Sequence, residues 1–471
     1  MDMTFFQIMK PELILTGLIF VFLFAKIANG AENNKTLLLW ANALLVINFI
    51  AGFFGNMPGV LFSGMFHTDP QLILEKNILN LALVLVSFLS HEWLSNGKNT
   101  AEFYILLLSS QLGMFFLISS GNFLMFFLAM ELSTIPLAAL SNFDLDRPKS
   151  AEAAFKAIMS SAFASAIMLF GISILYGTTG SIDFPEMLNQ LNPASHLQIM
   201  GFVFVFVGLA FKLSLVPFHL WTADVYEGSP VGITATLAVI SKGTFIFVFA
   251  STLFTVFPAF FGGWERLLMI SIMLTISFGN FMAVRQTNLK RLLAFSSIAQ
   301  MGYLLMGVIS FTALGVSSII YFMLIYVFSS LAMFAVVAVV FNKTGKDDIE
   351  DYKGFYQNNK LLSWVIALAL FSLAGIPPTA GFFGKYFLLT AGAVRQDWLL
   401  LSVAILNMVV SLYYYLRVVK AVFIDKGPTP AEKMQVNKWS AATMIICTAG
   451  ILAIGFCGDI FEHIAAYFLP Q

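Results

Sequence analysis

The 471-residue chain is too apolar for a water-soluble protein, since 59% of its residues are hydrophobic, 51 residues are phenylalanine and only 11% are charged. Its formal net charge is zero and its basic residues are spread over several loops, which excludes a nucleic-acid-binding surface. Apolar stretches recur at about 20 residues, the length that a helix needs to cross a bilayer. The composition therefore predicts an integral membrane protein, helical throughout because lipid offers no partner to an open sheet edge.

Taken in chain order, the apolar stretches predict an all-α polytopic membrane protein with about fourteen transmembrane helices. The first stretch contains Pro11 and is not followed by a small-residue cleavage site, so we interpret it as a retained span and not as a signal peptide. The predicted spans are 11–28, 37–55, 78–95, 101–119, 121–141, 150–176, 198–227, 230–257, 264–284, 292–310, 315–341, 361–393, 397–424 and 439–458.

The loops differ in basic charge, which predicts the orientation of the chain. Loops after even-numbered spans, with the N-terminal tail, hold only Lys10, Lys76, Arg266 and Arg395. The basic residues after odd-numbered spans are Lys35, Lys98, Arg147, Lys149, Arg285, Lys290, Arg291, Lys343, Lys346, Lys353, Lys360, Lys426, Lys433 and Lys438. Both termini are therefore predicted to face away from the cytoplasm.

The two cysteines, Cys447 and Cys457, lie ten residues apart, a spacing that fits no iron–sulfur or zinc motif. The chain has no glycine-rich phosphate loop after a strand and no Cys-x-x-Cys-His segment. We therefore expect no redox cofactor and no metal on this chain, and we expect both cysteines to be small buried hydrophobes.

Two segments of the chain align with a constant shift of 160 residues. FKLSLVPFHLWTADVY (211–226) and FSLAGIPPTAGFFGKY (371–386) share a phenylalanine, a leucine, a proline and a tyrosine, and each lies in a long apolar stretch interrupted near its middle. Five predicted helices separate them, so the two copies run in opposite directions across the membrane. Inverted pairs of broken helices are typical of transporters, in which half-helix ends and freed carbonyls form polar sites at midplane. Chance alignment of two apolar segments remains the alternative.

Ionisable residues within the spans are functional candidates, because an unpaired charge in hydrocarbon is costly. Glu131 and Lys212 lie near the middle of their spans, as does Lys242 in the eighth span, while Lys385 follows the second proline break. Lys156 lies in the sixth span, and the short connection to the fifth favours an ion pair with Glu131. Near the first break, Lys212 is expected to use freed carbonyls and water.

A buried lysine suits a proton relay, because burial disfavours its charged form and a nearby carboxylate restores it. If Glu131 and Lys156 approach or separate, the field at Lys212 changes, and with it the proton affinity of Lys212. His219, beyond Pro217, is either a proton carrier or a cap for freed carbonyls, and its residue type is compatible with both. At the end of the same span, Asp224 and Glu227 are predicted to be solvated loop charges.

Three segments carry a family resemblance: AFKLSLVPFHLWTADVYEGSPVGITATLAVISKG, QTNLKRLLAFSSIAQMGY and SLAGIPPTAGFFGKYFLL. They resemble the antiporter-like membrane subunits of respiratory complex I, the proton-pumping NADH–quinone oxidoreductase. Within that family the chain resembles the N-type subunits, because it has no long lateral C-terminal helix and has Lys385 where the middle subunit generally has glutamate. Both terminal regions look complete and the first three spans are present, which favours a bacterial origin and location in the inner membrane.

The resemblance implies a fold of two inverted five-helix repeats and a role for each candidate residue. The implied segments are an N-terminal three-helix segment 1–100, repeats 101–257 and 258–424, and a C-terminal helix in 425–471. Glu131 matches a glutamate that pairs with Lys156, whereas Lys212, Lys242 and Lys385 match the broken-helix, connecting and terminal lysines of a proton path. NAD, FMN, iron–sulfur clusters and quinone are expected only in other subunits of the assembled complex.

The resemblance also implies partners, namely the lipid bilayer, internal water and neighbouring antiporter-like subunits. Two other functions remain as alternatives. A subunit of a multi-subunit cation/proton antiporter is disfavoured because sodium prefers oxygen ligands, and the spans offer one central carboxylate against several lysines. A non-conducting membrane scaffold is disfavoured because it needs no unpaired lysine at midplane.

Overall fold

A computed structural model of the chain describes residues 3–28, 34–97, 99–427 and 432–466, and helices make up most of these residues. Lys98, one of the basic residues used to predict orientation, lies outside the described residues, as do parts of the predicted segments 1–100 and 425–471. The prediction of an all-α fold is confirmed.

The N-terminal part contains four helices and one short hairpin. The helix α4 begins after Asp69, whose carboxylate accepts a hydrogen bond from the Leu72 amide at 2.8 Å, and Pro70 occupies its first position. Lys76, predicted to lie in a loop, is buried within this helix because α4 starts earlier than the predicted span. The elements are α1 Met3–Ile8, α2 Lys10–Ala28, α3 Asn34–Ala51, β1 Gly59–Leu61, β2 Phe66–Thr68 and α4 Pro70–Ser95, and β1 pairs antiparallel with β2.

The next part contains the first helix interruption. The elements are α5 Thr100–Ile118, α6 Phe123–Ser141, α7 Pro148–Thr179, α8 Phe184–Gln190, α9 His196–Lys212, α10 Leu220–Gly228, α11 Val231–Ala235 and α12 Lys242–Thr255, with a π-helical turn at Thr236–Ser241 between the last two. Asn122 caps α6 by accepting from the Met125 amide, and α7 ends at Gly180 in the left-handed region.

The last part contains the second interruption. The elements are α13 Phe261–Arg285, α14 Leu289–Ser310, α15 Ala313–Thr344, α16 Lys360–Ala374, α17 Ala380–Ala393, α18 Trp398–Phe423, α19 Lys438–Phe456 and α20 Asp459–Ala466. Proline has no amide hydrogen to donate and fixes its own backbone, so Pro217 and Pro377 fall in the gaps between half-helices, as predicted.

Within the described residues, 11 helices are long and apolar enough to cross a membrane. Three further segments, namely α2 and the two broken pairs α9–α10 and α16–α17, occupy the remaining predicted spans. The polytopic membrane architecture is confirmed, whereas the total of fourteen and the two inverted repeats remain predictions.

The centre of the molecule is formed by the most buried helices, α14, α15, α4 and the pair α11–α12. The helices α7, α13, α18 and α19 expose most of their surface and lie at the periphery. Because α14 is buried on every side, its polar side chains have to find partners inside the protein. These partners define much of the candidate site.

The two halves of the second broken helix approach each other closely at Gly381. A Cβ atom built on Gly381 would lie 1.7 Å from the carbonyl oxygen of Ser372, which is backbone and cannot move aside. The contact therefore requires glycine.

We predict that Gly381→Ala separates α16 from α17 and lowers the free energy of unfolding by about 1–3 kcal/mol. The measurement is the thermal unfolding midpoint of the purified chain in detergent. Gly177→Ala is the control, because a Cβ there meets nothing within 4 Å and alanine favours the helix. An unchanged midpoint for Gly381→Ala would contradict the proposed close contact.

Candidate functional site

The three lysines predicted to form a proton path lie in the interior, and each uses a different set of partners. The exposed fractions of Lys212, Lys242 and Lys385 are 6%, 1% and 1%. Carboxylates form no direct ion pair with these three ammonium groups among the described residues. Hydroxyls, carbonyls and aromatic rings surround them instead.

Lys212 is the last residue of α9, immediately before the break. Its Nζ donates to Ser161 Oγ at 2.6 Å and to Thr134 Oγ1 at 2.8 Å, from α7 and α6 respectively. The expectation that freed carbonyls would hold Lys212 is wrong. The nearby Phe211 carbonyl instead accepts a hydrogen bond from the Trp221 indole at 3.3 Å. A residue on the other side of the break therefore supplies the partner of this freed carbonyl.

Lys242 begins α12, directly after the π-helical turn. Its Nζ donates to Ser297 Oγ of α14 at 2.9 Å and lies 5.5 Å from the centre of the Tyr226 ring. A π-helical turn is an uncommon local distortion that often occurs at functional sites. Here it precedes the lysine that contacts the most buried helix.

Lys385 lies on α17, and its Nζ donates to the Ala374 carbonyl at 3.1 Å. Ala374 is the last residue of α16, so its carbonyl is one that the second break leaves without a helical partner. The Tyr303 ring lies 5.0 Å from the ammonium group. The expected use of freed carbonyls therefore occurs at the second break and not at the first.

Polar groups of α14 connect the surroundings of Lys242 to those of Lys385. Next to Ser297, the hydroxyl of Ser296 bonds to the hydroxyl of Tyr415 on α18. Gln300 Nε2 donates to the same Tyr415 oxygen at 3.3 Å and to the Leu373 carbonyl at 3.0 Å. Leu373 adjoins Ala374, which accepts from Lys385. The sequence does not predict this connection, because neither serine nor glutamine stands out in an apolar helix.

The predicted ion pair between Glu131 and Lys156 is wrong for this structure. Lys156 Nζ lies 2.6 Å from Asp224 Oδ2 and 2.6 Å from Glu152 Oε1. Glu131 keeps a buried Oε1 that has no hydrogen-bond partner in the described part of the chain. The short connection between α6 and α7 did not predict the partner of Lys156, because α10 places the carboxylate of Asp224 next to it.

Asp224 and Glu227 were predicted to be solvated, but they lie at the centre of an ionic cluster. Arg291 Nη1 lies 2.7 Å from Asp224 Oδ1 and 2.8 Å from Glu227 Oε2, and Lys149 Nζ lies 2.7 Å from Glu227 Oε1. With Lys156, the cluster joins α7, α10 and α14. One feature of the sequence does point to this cluster. Lys290 and Arg291 lie in the first turn of α14, where basic residues oppose the helix dipole and therefore need nearby carboxylates.

The carboxylate of Asp347, in the loop after α15, extends this cluster at the N-terminal end of α14. Asp347 Oδ1 accepts from Asn288 at 2.7 Å, and its Oδ2 lies 3.8 Å from Lys290. Burial raises the pKa of Asp347, whereas the charge of Lys290 and the bond from Asn288 act in the opposite direction. Lys290 in turn donates to the Glu227 carbonyl at 2.5 Å. The loop thus helps to hold the C-terminal end of α10.

His219 is 4% exposed and directly precedes α10. Neither ring nitrogen makes a hydrogen bond of normal geometry among the described residues, but the Pro217 carbonyl at the break lies near enough to act on the ring. The ring packs edge-on against Phe278 with centroids 4.8 Å apart. Both interpretations of His219, proton carrier and cap for a freed carbonyl, stay predictions.

Within the described residues, no group of three or more His, Cys, Asp or Glu side chains is arranged to hold a metal ion. Cys447 is buried as predicted, but Cys457 is exposed, which the prediction had wrong. Cys457 follows the last residue of α19 and so lies beyond the packed part of that helix.

Comparison with known proteins identifies the family. The family described as NADH:quinone oxidoreductase/Mrp antiporter, TM matches residues 120–411, which is more than half of the chain. This chain belongs to that family. A relative from Azobacteroides pseudotrichonymphae, named NADH-quinone oxidoreductase subunit N, is 43% identical over 98% of this chain and 98% of its own length.

Solved structures of the NADH:quinone oxidoreductase/Mrp antiporter family share the fold. A chain of respiratory complex I from Thermus thermophilus with bound Aureothin has a TM-score of 0.82 and 28% identity, covering 97% of this chain and 99% of that chain. A chain of the Mrp complex from Dietzia sp. has a TM-score of 0.83 but 19% identity, covering 99% and 96% respectively. The second likeness concerns the fold alone.

The ionic cluster yields a prediction about Lys156. A double-mutant cycle of Lys156→Met with Asp224→Asn should give a coupling free energy of about 0.5–1 kcal/mol, small because both side chains are partly exposed. The measurement is the stability of each variant to thermal unfolding in detergent. The matched cycle of Lys156→Met with Glu131→Gln should give a coupling near zero, and a larger value there than with Asp224 would contradict the observed pairing.

Proposed function

We propose that this chain is a proton-translocating, N-type membrane subunit of a bacterial NADH–quinone oxidoreductase. Family membership and the 43% identity to a protein named NADH-quinone oxidoreductase subunit N support this assignment. The observation that carries the mechanism is the set of three buried lysines, Lys212, Lys242 and Lys385, each held by hydroxyls or a carbonyl.

The proposed path runs from Lys212 through Lys242 to Lys385. A lysine that donates only to neutral oxygens can lose its proton without leaving an unpaired carboxylate beside it. Its charge can therefore change during a transport cycle. Between Lys242 and Lys385, the polar groups of Ser297 and Gln300 offer sites that internal water would join into a continuous file. Redox energy would enter from other subunits.

Glu131 and Lys156 are proposed to control the charge at Lys212. Glu131 has a buried carboxylate oxygen without a hydrogen-bond partner among the described residues, while Lys156 is held by Asp224. If Lys156 left Asp224 and approached Glu131, it would offset the field of that carboxylate at Lys212. The proton would then bind Lys212 less tightly, which provides an electrostatic switch without a cofactor.

His219 is proposed to carry protons near the first break. Its imidazole is buried and no close hydrogen bond fixes either ring nitrogen, so each can exchange a proton with water.

The remaining parts of the proposal concern the assembly. NAD, FMN, iron–sulfur clusters and quinone would be bound by other subunits, and neighbouring antiporter-like subunits would pack against this chain. The chain would lie in the bacterial inner membrane with both termini on the periplasmic side, according to the distribution of its loop charges.

A second candidate, a subunit of a cation/proton antiporter, is favoured only by the fold that the chain shares with the Mrp complex chain. Sodium prefers oxygen ligands, whereas the buried site carries three lysines and one nearby carboxylate. We therefore prefer protons as the transported ion. Sodium dependence of transport would favour the second candidate.

We predict that Lys212→Met or Lys242→Met in the assembled complex lowers proton pumping at least about tenfold per NADH oxidised, because methionine cannot bind a proton. The measurement is the acidification of proteoliposomes during NADH–quinone turnover, with assembly checked by the subunit content of the purified complex. Lys360→Met is the control, since Lys360 is exposed. Full pumping by both variants in an intact complex would support a non-conducting scaffold instead.

For His219 we predict that His219→Phe reduces pumping severalfold while leaving the thermal stability of the chain nearly unchanged. Phenylalanine retains the edge contact with Phe278, and the ring nitrogens make no hydrogen bond of normal geometry that the change would remove. The two readouts are proton pumping in proteoliposomes and the unfolding midpoint. Lost stability with normal pumping would point to a structural role.

A further inference from the structure

A groove of about 370 Å³ opens on the outer surface of the protein between α9 and α13. Its walls are apolar and include Ile199, Phe202, Val203, Gly262, Gly263 and Leu267. We call this the α9–α13 groove. The two glycines make room for it, because a Cβ built on either one meets no atom within 4 Å.

The groove continues into a surface that is suited to lipid. Along α13, Leu267, Ile270 and Leu274 are 39%, 50% and 49% exposed, and their spacing places them on one side of the helix. An acyl chain lying in the groove would therefore extend along an apolar stripe of a helix that is long enough to cross the membrane.

One positive charge lies beside the groove without a partner. Arg266 is exposed and makes no hydrogen bond or ion pair with any residue that the structure describes. Its neighbour Glu265 is already paired, at 3.3 Å, with Arg395. Helical side chains point toward the N-terminus of their helix, so Arg266 reaches back toward the turn that contains Gly262 and Gly263. The unpaired guanidinium and the groove thus occupy the same end of α13.

The positive charge beside the groove comes from Arg266 alone. A 3₁₀ turn at Pro258–Phe260 leads directly into α13, and the Phe261 amide donates to the Pro258 carbonyl, so the start of α13 supplies no separate anion site. An apolar groove next to one unpaired guanidinium matches a molecule with an acyl chain and a negatively charged head.

We propose that the α9–α13 groove binds one acyl chain of an anionic phospholipid whose phosphate contacts Arg266. The charge next to the groove favours a lipid over the apolar surface of a neighbouring subunit, which would leave the arginine without a partner. Zwitterionic phospholipids share the phosphate but carry a compensating positive charge, so they bind more weakly. The site is separate from the lysine path and does not depend on it.

The test compares phospholipid retained by the purified assembled complex after delipidation and titration with phosphatidylglycerol, counted by native mass spectrometry. We expect Arg266→Gln to weaken retention of one lipid per complex about fivefold, and Gly263→Leu to abolish it by filling the groove. Arg285→Gln and Gly177→Leu are matched controls at an exposed arginine and an open helical glycine, and both should retain lipid as the unmodified complex does.

Three outcomes would overturn the proposal. The first is equal retention by Arg266→Gln, Gly263→Leu and the unmodified complex. The second is equal binding of phosphatidylglycerol and phosphatidylcholine, which would remove the role assigned to Arg266. The third is a structure of the assembled complex in which side chains of a neighbouring subunit fill the groove.

Discussion

The arrangement of the interior depends on the cost of holding an ammonium group away from water. A buried charge needs polar partners, and the strength of those partners decides whether the charge can change. Lys76 is as buried as Lys242 and Lys385, but its Nζ lies 2.5 Å from Glu12 Oε1, and this ion pair fastens α4 to α2. The ammonium groups of Lys212, Lys242 and Lys385 donate only to neutral oxygens. A buried lysine thus forms an ion pair in one place and is held by neutral groups in the others.

The two helix breaks share a sequence pattern but handle their backbone groups differently. At the first break the Phe211 carbonyl is satisfied locally by Trp221, so Lys212 turns to the hydroxyls of α6 and α7. At the second, the Ala374 carbonyl remains open and receives Lys385. The first lysine is therefore sensitive to movement of neighbouring helices, whereas the second is bound to the halves of its own helix. Two breaks with similar sequences thus hold their lysines in different ways.

Composition and spacing were sufficient for the helical membrane fold, the two breaks and the burial of the central lysines, because each follows from the local cost of placing polar groups in lipid. Pairings between distant segments could not be predicted in this way. Lys156 meets Asp224 across 68 residues of sequence, and the choice between Asp224 and Glu131 depends on how α10 leaves the break. The bridge through Ser296 and Gln300 was equally hidden, since its residues become conspicuous only when α14 is known to be buried on all sides.

The ionic cluster offers a route by which the first break can influence the second half of the chain. Asp224 lies on α10, which continues directly from the break, and it binds both Lys156 of α7 and Arg291 of α14. Less than two turns after Arg291, the same α14 presents Ser297 to Lys242, and one turn later it presents Gln300 to the backbone of α16. If Lys156 released Asp224, that carboxylate would keep only Arg291, whereas Glu227 would still join α10 to Lys149 of α7. A change of partner at Lys156 would therefore weaken one of the two links between α7 and α10 and leave the links to α14, the helix that contacts Lys242 and α16, in place.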